Sequence, residues 1–248
     1  MDLIGRKAVI TGASRGLGAA LSYKLASLGC SVTLVARNKT LLNQQLNRLP
    51  VINQDQKHEM LLYDLMNLIS DTDLKKSPIV NHLNQVSILV NCAGVTTHSL
   101  LARISEQDIK NTVNLDLVVP MLLSKLAYKQ LFKLKHDPSI LNVSSVLSIT
   151  GQNVNGTSIY SASKAGLLGF TQALAHELRD KVRVNSLLPA LIRETDMGSM
   201  ANVGSNQSLH TISLQQVVDK AVEIITDPTI NGKFVVADNE KLPIQFDY

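Results

Sequence analysis

Apolar residues are spread along this chain in two alternating rhythms. Short β-branched and aliphatic runs recur at KAVIT (7–11), SVTLVA (31–36), MLLY (60–63), SILVN (87–91), SILNV (139–143), RVNSL (183–187) and KFVVA (233–237). Runs of this length predict strands buried on both faces. Between them lie helix-period segments such as 16–28 and 163–178, where Leu167, Thr171, Leu174 and Leu178 keep to one face. Residues 105–127 open on SEQD, a start like a capping box, and continue as a long apolar-rich helix that would carry Asn114. This alternation predicts an α/β fold: a Rossmann-like, doubly wound parallel sheet of about seven strands with helices on both faces. Residues 47–58 read as a polar connection, and 198–213, rich in Ser, Asn and Gly, as a mobile loop. No repeat, low-complexity tract or linker divides the chain, so residues 1–248 are expected to form a single domain.

Composition excludes several function classes. With 248 residues, 45% hydrophobic and 18% charged, the chain can bury a substantial core. Its apolar runs are broken well before the ~18 residues of a membrane span. Cys30 and Cys92 form no CxxC, and the six histidines form no HxH or HxxxH pair, so neither a disulfide framework nor a metal site is expected. A net charge of +4, 4% aromatics and no Lys/Arg run favour an anionic small molecule or an acidic partner over nucleic acid. Apolar periodicity and turn chemistry begin almost at Met1, so no secretory signal is expected; no Arg-rich, Ser-rich leader is evident either, which leaves an organelle open.

Candidate chemistry gathers at the ends of the predicted strands. TGASRGLG (11–18) follows the first, with Ser14, Arg15 and Leu17 among its glycines. Gly12, Gly16 and Gly18 permit a tight turn and close backbone approach to a pyrophosphate at the positive end of the next helix. After the second strand, Arg37 in VARN (35–38) stands where NAD-preferring folds carry an acidic ribose-binding residue. Together Arg15 and Arg37 could clamp a 2′-phosphate, which favours NADP(H); each could also be a solvated charge. Asp64, next to Leu65, is placed to accept from an adenine amino group or to cap a helix.

NCAG (91–94) closes the fourth strand with Asn91, Ala93 and Gly94, and NVSS (142–145) closes the fifth with Ser144 and Ser145. Ligands of such sheets bind outside the carboxyl ends of the strands, so these residues would converge on one crevice with Tyr160. In IYSASKAG (159–166), Tyr160 and Lys164 lie four positions apart and share a helix face. An ammonium there favours the phenolate and would lower the tyrosine's pKa toward working pH.

TGASRGLG, NCAG, Asn114, Ser145 and YSASK, in this order, resemble the short-chain dehydrogenase/reductase family across residues 5–197. The resemblance implies that Tyr160 gives a proton to the substrate oxygen, Lys164 lowers its pKa and binds the nicotinamide ribose, and Ser145 hydrogen-bonds the same oxygen. Asn114 would hold a water of the proton relay. It also implies NADP(H) contacts from the glycine loop, Arg37, Asp64, Leu65, Asn91, Ala93, Gly94, Pro189, Ile192 and Thr195.

Within the family, VNCAGVTTHSLLARIS (90–105), IYSASKAGLLGFTQALAHEL (159–178) and RETDM (193–197) are most similar to the 3-oxoacyl-(acyl-carrier-protein) reductases. The expected activity is therefore NADPH-dependent reduction of 3-oxoacyl-(acyl-carrier-protein) in fatty acid synthesis. Another short-chain carbonyl reductase or alcohol or hydroxysteroid dehydrogenase, and a non-catalytic nucleotide-binding subunit, are the alternatives. Ser145 and Tyr160 are 15 positions apart, two more than in the bacterial reductases, and Pro189 to Thr195 is one longer. Both spacings look like the fungal mitochondrial type, which implies the mitochondrial matrix, with the cytoplasm as alternative.

Three departures stand out. Pro189-Ala190 replaces a Pro-Gly, and Cys92 replaces the second Asn of NNAG, where it is expected as a buried small hydrophobe near the adenosine side. DNEKLPIQFDY (238–248) replaces paired glycines, which bears on the homo-oligomer, tetramer or dimer, that the resemblance implies. Lys125, Lys129, Lys133, Lys135, Arg179 and Lys181 could steer an acidic carrier to the entrance or form a solvated face.

Overall fold

The computed structural model describes residues 3–135, 137–150, 154–179, 181–199 and 211–238. Seven strands are present among them: β1 (Lys7–Thr11), β2 (Ser31–Ala36), β3 (Glu59–Leu62), β4 (Ile88–Asn91), β5 (Ser139–Val143), β6 (Arg183–Pro189) and β7 (Phe234–Ala237). They form one sheet in the order β3-β2-β1-β4-β5-β6-β7, with every pair parallel. Each strand expected from the sequence is found, displaced by no more than two residues at an end. The largest difference is β6, which runs on through Pro189.

Helices connect and flank the strands: α1 (Gly16–Ser27), α2 (Lys39–Arg48), α3 (Asn67–Ser70), α4 (Ile79–Leu83) and α5 (Glu106–Val113) in the first half. The second half adds α6 (Val119–Lys133), α7 (Leu147–Thr150), α8 (Ser158–Glu177), α9 (Asp196–Ser199) and α10 (Leu214–Thr226). Side chains alternate across each strand, so neighbouring residues enter opposite cores. Ile10 and Val90 pack with Leu21 and Leu25 of α1 and Val217, Ala221 and Ile224 of α10. Val9 and Leu89 pack on the other face with Ile79 and Leu83 of α4, Leu123, Ala127 and Leu131 of α6, and Ala175 of α8. Coverage of both faces explains why the strands read as unbroken apolar runs.

The long helix expected over 105–127 is interrupted. Ser105 Oγ accepts from Asp108 N and starts α5, but at Asn114–Val118 the chain makes a wide π-helical turn in which Val119 N–H reaches Asn114 O. Pro120 gives the physical reason: it has no N–H to return to the carbonyl of Asp116, four residues back, so the ladder widens there. Helix α8 begins at Ser158, five residues earlier than expected, and thereby includes Tyr160 in its first turn.

Crossover helices run antiparallel to the strands they join, so their ends lie at the amino edge of the sheet. This places the basic stripe away from the crevice of its own chain. Lys133 closes α6 and Lys135 follows it just before β5, while Arg179 and Lys181 follow α8 just before β6. These cations sit at the end of the sheet opposite the strands' carboxyl ends, and Lys125 and Lys129 lie on the exposed face of α6 on the way there. Most of the 198–213 stretch and the tail after Asp238 lie outside the described residues.

A buried polar chain stitches the second core. Asn91 Nδ2 donates to Asn142 Oδ1 at 2.8 Å, Asn142 Nδ2 donates to Thr171 Oγ1 at 2.9 Å, and Thr171 Oγ1 lies 2.8 Å from Ser186 Oγ. It links β4, β5, α8 and β6. The side chain of Asn91 is not what a cofactor would meet: following Leu89 by two residues, it turns to the α8 side, and the residue is 2% exposed.

Among the described residues no helix is long and apolar enough to cross a membrane. Replacing Asn142 by Leu keeps the branched heavy-atom shape but removes the partner of Asn91 Nδ2 and leaves Thr171 only its contacts with Leu167 and Ser186. It should destabilise the fold by about 2–4 kcal/mol in urea unfolding; an unchanged midpoint would show that the chain of side chains carries no stability.

Candidate active site

Strand order reverses between β1 and β4, and the segments leaving their carboxyl ends part in opposite directions, which opens a crevice. Thr11 Oγ1 accepts from both Cys92 N and Ala93 N at 3.0 Å, tying the two strand ends together. Gly12 has φ +67°, and a Cβ on it would lie 2.9 Å from Ala93 Cα. A Cβ on Gly18 would come within 2.4 Å of Gly12 O, so α1 can start this close to β1 only without a side chain there. The first turn of α1 has no acidic residue and no side-chain cap, which leaves its amide dipoles facing the crevice.

The crevice has a volume of ≈ 980 Å³. Gly12, Ser14, Arg15, Gly16, Leu17 and Gly18 form one wall, continued by Arg37, Asp64 and Leu65. Ala93, Gly94, Ser145, Tyr160 and Lys164 form another, and Pro189, Ile192 and Thr195 close the side. Residues scattered from 12 to 195 in sequence thus share one space. Asn91 and Asn114 do not line it. Asn114 opens the wide turn and is half-buried, and the extra residue of that turn brings its neighbour Leu115 to the wall.

Both arginines are exposed and hold carboxylate partners in solvent. Arg15 Nη1 lies 2.5 Å from Asp196 Oδ2, and Arg37 Nη1 lies 3.8 Å from Asp64 Oδ2. Such solvent-facing pairs are weak and exchange readily for another anion. Asp64 also accepts from Met66 N through Oδ1 at 3.0 Å, a turn contact just ahead of α3. Ala190 has no positive φ and its N–H donates to Ala237 O at 2.9 Å, so an alanine in place of glycine strains nothing there.

Tyr160 and Lys164 do face one another. Lys164 Nζ is 5.7 Å from the Tyr160 ring centroid and donates to Val143 O at 2.9 Å. The two serines separate in role: Ser144 Oγ donates to Lys164 O at 2.9 Å, whereas Ser145 Oγ accepts from Leu147 N at 3.2 Å and lies on the crevice wall with Tyr160. Burial pushes the Tyr160 phenol up; Lys164 pulls it down, Asp116 pushes it up, and the nearby Ser145 hydroxyl favours ionisation. The net direction is upward, against the lowering expected from the lysine alone. Lysine's influence has the expected sign, and desolvation outweighs it.

Two further groups lie at this end. Cys92 stands close enough to interact with both Tyr160 and Lys164, at the tyrosine end of the crevice and not away from it; burial pushes its thiol up to about 11. Asp116 is wholly buried, with Oδ2 3.9 Å from Lys164 Nζ. Its signal was present: it is the one charged residue between Lys110 and Lys125.

The short chain dehydrogenase family profile matches residues 6–206. Carbonyl reductase family member 4 of Danio rerio is 33% identical over 244 residues, 95% of this chain and 97% of its own. The 3-oxoacyl-(acyl-carrier-protein) reductase FabG of Aquifex aeolicus (strain VF5) is 36% identical over 204 residues, 79% of this chain and 77% of its own. A short chain dehydrogenase from Burkholderia cenocepacia J2315, solved in complex with NADP, has a TM-score of 0.82 at 24% identity, covering 96% of this chain and 98% of that one. With the glycine loop, Ser145, Tyr160 and Lys164 all inside the matched span and gathered around one crevice, this chain belongs to the short-chain dehydrogenase/reductase family of oxidoreductases.

Proposed function

We propose that the chain is an NADPH-dependent reductase that converts 3-oxoacyl thioesters on acyl carrier protein into 3-hydroxyacyl thioesters. The observation that carries this is the meeting of the Tyr160 phenol, the Ser145 hydroxyl and the Lys164 ammonium on the wall of the crevice that also holds the glycine loop. The residues present fit a dinucleotide. Gly12 and Gly18 leave room that a Cβ would fill, the start of α1 offers unpaired amides to a pyrophosphate, and ≈ 980 Å³ accommodates cofactor and substrate together. Arg15 and Arg37 offer forked donors to a 2′-phosphate, a stronger partner than their exposed carboxylates. NADPH, when bound, supplies the hydride that a carbonyl carbon accepts.

The protein's part is to manage the charge that then grows on oxygen. Ser145 hydrogen-bonds the carbonyl oxygen, and Tyr160 transfers its phenolic proton to it, so that the C=O bond becomes C–H and O–H. A proton donor must be protonated at working pH, and the upward net shift of Tyr160 meets that need. Lys164 stabilises the phenolate left behind. Val95, Val146, Leu147, Val154 and Met197 make the wall beside these groups apolar, which suits an acyl chain. The thioester reading is supported by the name of the Aquifex aeolicus relative; the Danio rerio relative, similar over nearly the whole chain, favours a broader carbonyl reductase as the second reading.

Absorbance of NADPH and NADH during turnover of an acetoacetyl thioester, beside a panel of quinones and small ketones, distinguishes the two. Preference for the thioester is expected; equal turnover of unrelated carbonyls would favour the second. Tyr160→Phe should lower kcat by roughly 10²–10⁴-fold while NADPH still binds by fluorescence, and full turnover without the hydroxyl would end the proposal. Arg37→Glu should raise the KM for NADPH by about tenfold or more and leave that for NADH little changed. An unaltered preference would remove Arg37 from the cofactor site.

A further inference from the structure

Asp116 is 0% exposed, the most deeply buried carboxylate among the described residues. The wide turn at Asn114–Val118 carries it inward. Its Oδ1 accepts from Val95 N at 2.8 Å, and its Oδ2 has no hydrogen-bond partner among the described residues and lies 3.9 Å from Lys164 Nζ. Gly94 makes the approach possible: a Cβ there would fall 3.2 Å from Asp116 Oδ1 and 3.3 Å from Lys164 Nζ. A lone carboxylate in such a place is costly, and burial pushes its carboxyl up, opposed by Lys164 and the Val95 bond. Lys164, 4% exposed, has the reciprocal difficulty. Burial alone pulls its ammonium down, yet Asp116 first, then Tyr160 and Cys92, outweigh this and the net is upward.

We propose that Asp116 is a positioning residue: it anchors the buried Lys164 ammonium against the Tyr160 ring and keeps that lysine charged, touching neither substrate nor cofactor. The proposal rests on Tyr160 being the proton donor of the reduction. Four ionisable groups meet here: Asp116 on the wide turn, Cys92 just past β4, and Tyr160 and Lys164 on α8; His98, from the loop packed on Gly156, lines the same crevice. Asp116 raises both Lys164 and Tyr160, and reduction needs both protonated. Activity is therefore lost as pH rises, and removing the carboxylate charge moves that loss to lower pH.

The test compares wild type with Asp116→Asn, which keeps an oxygen acceptor for Val95 N–H and removes the charge. Two readouts are taken: the basic limb of the kcat/KM profile for NADPH-dependent reduction, and the ¹³Cε shift titration of Lys164, assigned by its disappearance in Lys164→Arg. The limb and the lysine midpoint should both fall by about one pH unit or more, that is tenfold or more in proton affinity. Asp116→Ser, a neutral acceptor of a different shape, should shift them in the same direction. A variant that loses activity equally at all pH with an unmoved lysine midpoint would overturn the proposal, because a packing role predicts that pattern. Should the wild type reduce no carbonyl, the proposed function fails, and the lysine titration still decides the role of Asp116.

Discussion

Just past the ends of β1 and β4, Thr11 Oγ1 takes two backbone N–H groups from Cys92 and Ala93, and Gly12 sits against Ala93 at a distance no side chain would permit. This contact holds together two strands that are neighbours in the sheet and whose onward segments diverge. The divergence makes the crevice, and the contact fixes where it opens. Tyr160, Lys164, Ser145 and the start of α1 are useful together because each is referred to this point by the parallel register of β1, β4 and β5.

The electrostatics of the crevice follow from burial. Tyr160, Lys164 and Asp116 are each less than a tenth exposed, so water screens none of them well. In such surroundings a lysine by itself would shed its proton and a tyrosine would hold one more tightly. Supplying a carboxylate resolves the lysine and raises the tyrosine further, and the result is an acid with a cation fixed beside it. Reduction of a carbonyl calls for that combination, since the phenol must give up a proton only as negative charge appears on the substrate.

The sheet also separates tasks by direction. All strands point the same way, so the carboxyl edge carries the crevice with Arg15 and Arg37, while the amino edge carries the ends of α6 and α8 with their exposed lysines. The buried chain from Asn91 to Ser186 lies between, holding α8 against β4, β5 and β6. A polar residue next to the site can therefore serve the scaffold.

Much of this was legible in the chain itself. Strand and helix order, the parallel sheet, the glycine turn and the pairing of Tyr160 with Lys164 follow from periodicity, turn residues and i, i+4 spacing, which are local properties of covalent geometry. Tertiary structure decided the rest. It turned Asn91 into the core, kept Asn114 off the wall, carried the basic stripe to the far edge, and brought Asp116 to Lys164 across 48 positions of sequence. It also set the direction of the Tyr160 shift. These depend on distances between remote segments and on exclusion of water, and neither quantity exists until the chain has folded.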